Sequence, residues 1–268
     1  MNKFSQSEIW GEPDWGEPID LSWPLQFGNH NPKAFHIPAP TRTPLRAGGF
    51  VGSVREGGSC NVFELTLHPH GQGTHTECLG HITPDEFYIN DCLKKFWFRA
   101  LLLRVEPLRL DKDWVIGREE LQKAWDSAQL RSANHTPVDP EDCGVEALLV
   151  CCALDTASIP HVEGYPEFSG SNPPYFSAAA LELVREWGVE HLLTNLPSVD
   201  REDDGGRLLA HHAFWHYPQA PRMGATITEL IRVPVELPDG LYYLNLMIAP
   251  LQSDTSPSKP VLYRRLGV

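Results

Sequence analysis

The feature that most constrains this chain is a short segment, residues 68–81, in which histidines gather around glycines directly after a strand-like stretch. Residues 62–67 alternate apolar and polar side chains with period two, which is typical of a half-buried β-strand. The next residues read His-Pro-His-Gly-Gln-Gly, where proline and glycine prevent a simple continuation as strand or helix. Four histidines, one glutamate and one cysteine lie within these 14 residues. This concentration of donor groups predicts a metal site at a turn.

The spacing within this segment indicates which side chains would converge. If the chain is extended around residue 75, His75 and Glu77 project from one face, because side chains alternate along a strand. The glycines before them allow a tight turn that brings His70 back toward the same place. Imidazole nitrogens and a carboxylate suit zinc or manganese at a catalytic site, so we expect a divalent metal as cofactor. His68 is better explained as a solvated turn residue.

A second group of candidate residues lies far along the chain. The acidic run at residues 200–204 is typical of a solvated loop, whereas the adjacent pair His211 and His212 precedes the apolar residues 213–215. At least one of the two imidazoles should therefore point inward, and the sequence leaves open which one. Glu229 interrupts an apolar stretch, and a buried glutamate needs a cation, a metal or a proton. A glutamate on an edge strand would explain the same pattern.

Composition limits the partners and the compartment. The chain carries 35 acidic against 22 basic residues, a net charge of −13, which argues against nucleic acid and anionic membranes as partners. It contains no apolar run of about 18 residues, and residues 1–20, which are acidic and lack an apolar stretch, are not expected to act as a secretory signal. The six cysteines form no C-x-x-C pair. Reduced thiols in the cytoplasm are the expectation.

The order of elements favours one strand-rich α/β domain over residues 1–268, with residues 1–18 as an N-terminal extension rich in proline and tryptophan. Trp10 and Trp15 of this extension are expected to pack on a neighbouring subunit. Apolar runs and end signals predict strands at 19–22, 100–105, 145–154, 191–196, 225–235 and 241–249. Helices are predicted at 118–129 and at 177–187, the latter capped by Ser177.

At this point the sequence resembles a known family. Residues 73–81, Gly-Thr-His-Thr-Glu-Cys-Leu-Gly-His, resemble the H-x-G-T-H-x-D-x-P-x-H signature of the cyclase family of metal-dependent hydrolases, which includes bacterial kynurenine formamidase. Weaker similarities follow the family's order at residues 19–22, 195–200, 211–215 and 256–261. The resemblance spans residues 19 to 263 and implies a swivelling β/β/α domain that forms homodimers or homotetramers.

The resemblance also implies a site with one or two metal ions. Its ligands would be His75 for the first ion, Glu77 as a bridge, and His211 or His212 with Glu229 for the second ion. The same resemblance makes His81 the proton donor and acceptor of the reaction.

The segment departs from the family pattern at several positions. The family's first histidine falls at Gly71, so His70 can replace that ligand only if the turn bulges by one residue. Glu77 stands in place of aspartate, and residues 78–79 replace Ala-Pro. Residues 26–29 replace the W-P-G segment that helps to bind kynurenine. These departures are compatible with a metal site but do not favour kynurenine formamidase activity.

The function expected from these residues is hydrolysis of an amide, formamide, lactam or ester bond of a small molecule. A metal lowers the pKa of bound water to about 7, and His81 would take a proton and return it to the leaving group. The sequence contains no G-x-S-x-G and no G-x-G-x-x-G after a strand, which argues against a serine hydrolase and a dinucleotide enzyme. Cys78 is expected to pack rather than attack. The alternative is a non-catalytic metal- or ligand-binding protein on the same scaffold.

Overall fold

The main sheet of the protein closes on itself. The structure is a computed structural model that describes residues 5–153, 160–162 and 164–266. Eight strands form this sheet: β1 (Ile19–Asp20), β2 (His75–Glu77), β3 (Trp97–Val105), β4 (Ala147–Cys152), β5 (His191–Thr194), β6 (Thr226–Glu229), β7 (Gly240–Ile248) and β8 (Thr255–Tyr263). Their order is β1-β8-β7-β3-β4-β5-β6-β2, and β2 pairs again with β8. Seven of the strands, all except β1, therefore form a closed ring.

Strand β8 closes the ring because it has two partners along one of its edges. Its residues Thr255, Ser256 and Pro257 pair antiparallel with β2, and further along the same strand β1 pairs with Leu262 and Val261. Its other edge pairs antiparallel with β7. Strands β3, β4, β5 and β6 are parallel to one another. Closure leaves the short strand β2 hydrogen-bonded on both sides, so neither of its edges is exposed.

Six helices and several short strands complete the described part of the chain. The helices are α1 (Gln6–Trp10), α2 (Pro69–Gln72), α3 (Ile89–Cys92), α4 (Arg118–Asp126), α5 (Ala178–Glu186) and α6 (Leu209–Trp215), with 3-10 turns at Val54–Glu56, Leu79–Ile82 and Pro140–Asp142. The short strands are Thr41–Pro44, Arg46–Ala47, Phe50–Val51, Phe63–Thr66, Leu108–Leu110, Asp113–Ile116, His161–Val162, Tyr165–Pro166 and Tyr175–Phe176. Within the described residues, none of the helices is long and apolar enough to cross a membrane.

Both faces of the ring are buried, and alternation along the strands separates two cores. On β3, Ala100 and Leu102 point into the ring, where they pack with residues such as Leu149 and Leu244. Leu101 and Leu103 point outward and pack beneath the helices. Strands covered on both faces have continuous apolar sequences, which explains why the apolar runs at 100–105 and 147–152 predicted strands correctly.

The strand-rich single α/β domain expected from the sequence is confirmed. Ser177 caps α5 as expected, because its side chain accepts a hydrogen bond from the N–H of Ala180. The strand predicted at 225–235 is wrong beyond Glu229, where Leu230 adopts a left-handed conformation with φ of 54° and turns the chain. The sequence also missed α6 and β8, and the end of the predicted strand 145–154 lies outside the described residues.

The N-terminal segment packs on the same chain. Trp10 is buried, and its indole N–H donates to the carbonyl of Cys143 at 2.7 Å. The expectation that Trp10 packs on a neighbouring subunit is therefore wrong. Trp15 is 58% exposed and contacts the rings of Trp97 and Tyr263, with centroids 4.9 and 5.4 Å away. A subunit contact at Trp15 stays a prediction.

One buried histidine serves packing alone. His191 begins β5, is 4% exposed, and its Nδ1 lies 2.9 Å from the hydroxyl of Thr226. Its ring packs on Phe98 with centroids 4.1 Å apart. Burial lowers the pKa of His191 from its ordinary 6.5 to about 4. The native protein therefore keeps this imidazole neutral at pH values where an unfolded chain would protonate it.

We expect this histidine to weaken the fold in mild acid. Between about pH 6.5 and pH 4 the unfolded chain binds a proton at residue 191, whereas the native state leaves this imidazole unprotonated. The free energy of unfolding therefore falls over this range, by roughly 3 kcal/mol in all. His191→Gln keeps a polar partner for Thr226 without this titration. Urea unfolding at pH 7.5 and 4.5 should show a loss about 2–3 kcal/mol larger for the wild type than for the variant. Equal losses would contradict the assignment.

Candidate metal centre

The pairing of β2 with β6 brings together two segments that are distant in sequence. His75 lies directly opposite Glu229, and Glu77 lies opposite Ile227. Directly paired residues on one face of a sheet have Cβ atoms about 5 Å apart, so register alone places these side chains in contact. Ile227 belongs to the core beneath the helices, so His75, Glu77 and Glu229 also point to the outer, helix-covered face. All three are buried.

Two atoms of this group that could bind a metal have no hydrogen-bond partner among the described residues. The Nδ1 of His75 donates to the carbonyl of Gly73 at 2.9 Å, so the lone pair of its other nitrogen, Nε2, faces Glu229 Oε2 at 3.4 Å. This Nε2 and Glu77 Oε2 are these two buried atoms. Buried acceptors normally have donors. A cation between them would satisfy both, so the residues present fit a divalent metal.

Helix α6 carries a third contributor to the cluster. The Nε2 of His211 lies 3.0 Å from Glu77 Oε1, and its Nδ1 lies 2.6 Å from Asp200 Oδ2. The same Asp200 accepts the backbone N–H groups of Ala210 and His211, which are free at the start of a helix. Burial alone would lower the pKa of His211, but Asp200 and Glu77 outweigh it and raise this pKa to about 10. Burial likewise opposes ionisation of Glu77, yet the neighbouring imidazoles hold its pKa well below the usual range.

The structure separates the two adjacent histidines. His211 points into the cluster, whereas the Nδ1 of His212 lies 3.2 Å from the carbonyl of Tyr217 and its ring packs against the Tyr217 ring. Consecutive helical residues project about 100° apart, so both imidazoles cannot reach one point. The alternative in which His212 is the metal ligand is therefore wrong, because its side chain lies away from the cluster.

His70 reaches the cluster from the short helix α2. Its Nδ1 lies 3.1 Å from Glu77 Oε2 and its Nε2 lies 2.9 Å from Asp254 Oδ2. Burial tends to lower the pKa of His70, but contacts with these two carboxylates raise it to about 10. A Cβ at position 71 would lie 2.4 Å from the Cδ1 of Ile37 and 3.0 Å from the backbone oxygen of Ala34. A side chain at 71 would therefore require both neighbours to shift, whereas His70 reaches the cluster without such a change.

His81 lies on a 3-10 turn at the edge of the cluster. Its Nε2 is 3.8 Å from Glu77 Oε2, and its Nδ1 is 3.4 Å from Asp254 Oδ2. About a quarter of its side chain is exposed. By contrast, His68 only precedes α2 and lies outside the cluster.

The donor atoms form two overlapping groups. His70, Glu77 and His81 form one, and His75, Glu77 and Glu229 form the other, with the donor atoms of each group within 4.8 Å of one another. Glu77 belongs to both groups, so a single carboxylate lies between two possible ion positions. Nitrogen and carboxylate oxygen donors of this kind suit zinc and manganese.

A cleft of about 430 Å³ opens onto the cluster. His70, His81, His211 and Glu229 contribute to its floor. Phe35, Ile37 and Leu208 add apolar surface, and residues 200–206 line the rest. A substrate entering this cleft would meet the exposed edge of His81.

Two carboxylates of the site were not recognised in the sequence. Asp200 was expected in a solvated loop, which is wrong, because the residue is 7% exposed and hydrogen-bonded to α6. Asp254 was not singled out at all. The available signal was position, since Asp200 ends the family-like segment 195–200 and Asp254 lies two residues before the segment 256–261.

Cys78 points away from the cluster. Residues 75 and 77 face outward on β2, whereas Cys78 belongs to the core inside the ring and its thiol donates to the carbonyl of Phe87 at 3.4 Å. A hydrogen bond with Cys92 and burial raise the pKa of Cys78 far above its usual value. A protonated, inward-facing thiol packs rather than attacks.

Two sequence comparisons identify the family of this chain. The family model named Cyclase matches residues 19–201. A kynurenine formamidase from Bacillus cereus is 30% identical over 248 residues, which cover 92% of this chain and 97% of that protein. The chain belongs to the cyclase family.

Solved structures of similar fold agree with this assignment. A "potential metal-dependent hydrolase with cyclase activity" superposes with a TM-score of 0.60 at 14% identity, over 93% of this cyclase-family chain and 98% of the other. Isatin hydrolase A from Labrenzia aggregata has the same TM-score and identity and covers 93% and 94% of the two chains. These likenesses concern the fold.

The buried role of Asp200 in this cyclase-family chain can be measured directly. Asp200→Ala removes the acceptor for one buried imidazole N–H and two helix N–H groups, so we expect a loss of about 3 kcal/mol in the free energy of unfolding. The matched control, Asp203→Ala, removes an exposed carboxylate from the same acidic run and should change stability by less than about 0.5 kcal/mol. Urea unfolding in the presence of a chelator measures both. Similar values for the two variants would show that Asp200 is a solvated loop residue.

Proposed function

We propose that this cyclase-family chain is a metal-dependent hydrolase of amide C–N bonds, including formamides and lactams, with esters as chemically related substrates. The observation that carries the proposal is a pair of buried acceptors, His75 Nε2 and Glu77 Oε2, that lack a hydrogen-bond partner within the part of the chain that the structure describes and lie beside the partly exposed imidazole of His81 at the floor of a cleft. The relatives support the same reaction class. One is a kynurenine formamidase, and three similar structures are isatin hydrolases, whose named substrate is a cyclic amide.

His75, Glu77 and Glu229, one of the two donor groups, would hold one ion. A second position would use His70 and Glu77 of the other group together with His211, whose Nε2 lies 3.0 Å from Glu77 Oε1, and would leave His81 outside the ligand set. When bound, zinc or manganese polarises a carbonyl group and lowers the pKa of water to about 7. Asp200 would hold the outer nitrogen of His211, as carboxylates commonly do behind metal-bound histidines.

His81 is the group placed for proton transfer. Its ring lies at the cleft floor, and its Nε2 points toward Glu77 rather than into the core. As water adds to the carbonyl carbon, His81 takes one proton from it. The C–N bond then breaks and His81 returns the proton to the leaving nitrogen, which gives an acid and an amine. An imidazole is suited to this exchange because its ordinary pKa is near neutral pH.

The cleft sets the size and polarity of the substrate. A volume of about 430 Å³ falls in the range of pockets that bind small molecules. Phe35, Ile37 and Leu208 would contact the apolar body of the substrate, while its carbonyl group faces the cluster. We therefore expect small aromatic or aliphatic amides rather than a polypeptide.

Two substitutions separate metal binding from proton transfer. Glu77→Ala should lose metal and activity together, because both donor groups share this carboxylate. His81→Ala should retain metal and lose roughly 100-fold or more in kcat, which is typical for removal of a general acid–base. The measurements are metal content by mass spectrometry and turnover on N-formylkynurenine, isatin, aryl formamides and aryl esters.

The control for these variants is His212→Gln, in which an imidazole outside the cluster is replaced and both metal content and turnover should stay at wild-type values. Full turnover by metal-free Glu77→Ala would refute the proposal. Metal bound at wild-type level without turnover of any substrate would instead favour a non-catalytic metal-binding protein on the same scaffold.

Metal removal should also destabilise the wild type. A ligand at 100 times its Kd stabilises the native state by about 2.7 kcal/mol, which corresponds to roughly 5 °C in Tm for a chain of this size. We expect a chelator to lower Tm by this amount and added Zn²⁺ or Mn²⁺ to restore it. Glu77→Ala should show no such response. The same Tm with and without metal in the wild type would contradict a metal site.

A further inference from the structure

One carboxylate of the site belongs to neither ligand group yet contacts two of its histidines. The Oδ2 atom of Asp254 lies 2.9 Å from His70 Nε2 and 3.4 Å from His81 Nδ1. We propose that Asp254 is a positioning residue that fixes the tautomer and orientation of both imidazoles, so that a metal ligand and the proton-transfer group share one support. This inference rests on the proposed function and adds a role for a residue outside the ligand set.

The contact with His70 determines which nitrogen of that ring faces the cluster. When a bound metal keeps the ring of His70 neutral, the hydrogen bond from Nε2 to Asp254 leaves the lone pair on Nδ1. This Nδ1 lies 3.1 Å from Glu77 Oε2, an atom that has no hydrogen-bond partner among the described residues. Asp254 therefore turns the acceptor of His70 toward the place where a cation would satisfy both atoms.

In His81, Asp254 lies next to the other ring nitrogen, Nδ1. The Nε2 of His81 therefore carries the lone pair and points toward Glu77, as the Nδ1 of His70 does. The two imidazole rings lie 4.3 Å apart with a tilt of 33°, which lets one carboxylate oxygen reach both. Because a solvated neutral imidazole favours the Nε2–H form, an Nδ1–H form at His81 needs such an acceptor.

Three hydrogen bonds hold Asp254 and its neighbour Ser253 in place. Its backbone carbonyl accepts the N–H of Cys78 at 2.9 Å, directly after strand β2. The hydroxyl of Ser253 lies 3.1 Å from its Oδ1, which leaves Oδ2 for the histidines. The carbonyl of Ser253 accepts the N–H of Ile89 at 2.8 Å. The carboxylate is thus anchored to the strand that carries Glu77, not to a free loop.

The decisive measurement is which nitrogen of His81 carries the proton, not the rate of the reaction. In protein labelled with ¹⁵N-histidine, two-bond ¹H–¹⁵N NMR correlation spectra of the imidazole rings at pH 8 should show His81 as the Nδ1–H form in the wild type, both with Zn²⁺ and without metal. Asp254→Ala should shift His81 toward the Nε2–H form, whereas Asp91→Ala, which removes an exposed carboxylate paired with Lys94, should not. If Asp254→Ala does not fold, Asp254→Asn of the same shape replaces it and should weaken the same signal.

Kinetics then test whether Asp254 acts through His81. Asp254→Ala should lower kcat about 10- to 100-fold and zinc affinity about 10-fold, as loss of a carboxylate behind a ligand usually does, with little change in KM. In a His81→Ala background the same substitution should no longer reduce kcat beyond the single variant, while the loss of zinc affinity through His70 persists.

Different outcomes would contradict the positioning role of Asp254 and the proposed hydrolase function. An unchanged His81 tautomer in Asp254→Ala, or a full additional loss of kcat in the His81→Ala background, would overturn the positioning role. Absence of hydrolysis by the wild type would refute the proposed function instead, and the tautomer measurement would still decide whether Asp254 orients His81.

Discussion

The closure of the sheet through β2 is the constraint on which the rest of the structure depends. This three-residue strand pairs with β6 on one side and β8 on the other. Pairing with β6 places His75 against Glu229, and pairing with β8 brings Asp254, the residue before that strand, beside His70 and His81. Without this closure, the histidine-rich segment would be a turn with an ordinary exposed edge. With it, both edges of β2 are paired, and His70 and His81 of the segment lie at the floor of a cleft.

The second organising constraint is electrostatic. Glu77, Glu229 and Asp200 are buried within one small region, and Asp254 lies half-buried at its rim. Buried carboxylates are stable only with protons, cations or hydrogen bonds around them. The imidazoles supply part of this compensation, and the two buried acceptors for which the described residues provide no donor mark the position where a metal would supply more. Stability and proposed chemistry therefore share one set of contacts.

Alternation along the strands separates the donor cluster from the core inside the ring. On β2, His75 and Glu77 face the helices, whereas Thr76 and Cys78 face the other way, where Thr76 bonds to Thr228 and Cys78 packs inside the ring. The outer face also receives α6, whose first turn is held by Asp200. Titratable groups thus collect on one face of the sheet, while Thr76, Thr228 and Cys78 give the opposite face uncharged side chains at this place.

Local patterns in the sequence determined a large part of this description. The apolar runs predicted the central strands, and Ser177 predicted the start of α5. The spacing of His75 and Glu77, with a glycine-rich turn after His70, predicted that these three side chains converge. Tertiary structure alone decided that His211 rather than His212 faces that cluster, that Asp200 is buried, that Trp10 packs within its own chain and that Asp254 joins two histidines. The physical reason is that period and spacing describe neighbours along the chain, whereas strand pairing between residues about 150 or 180 positions apart sets the neighbours in space.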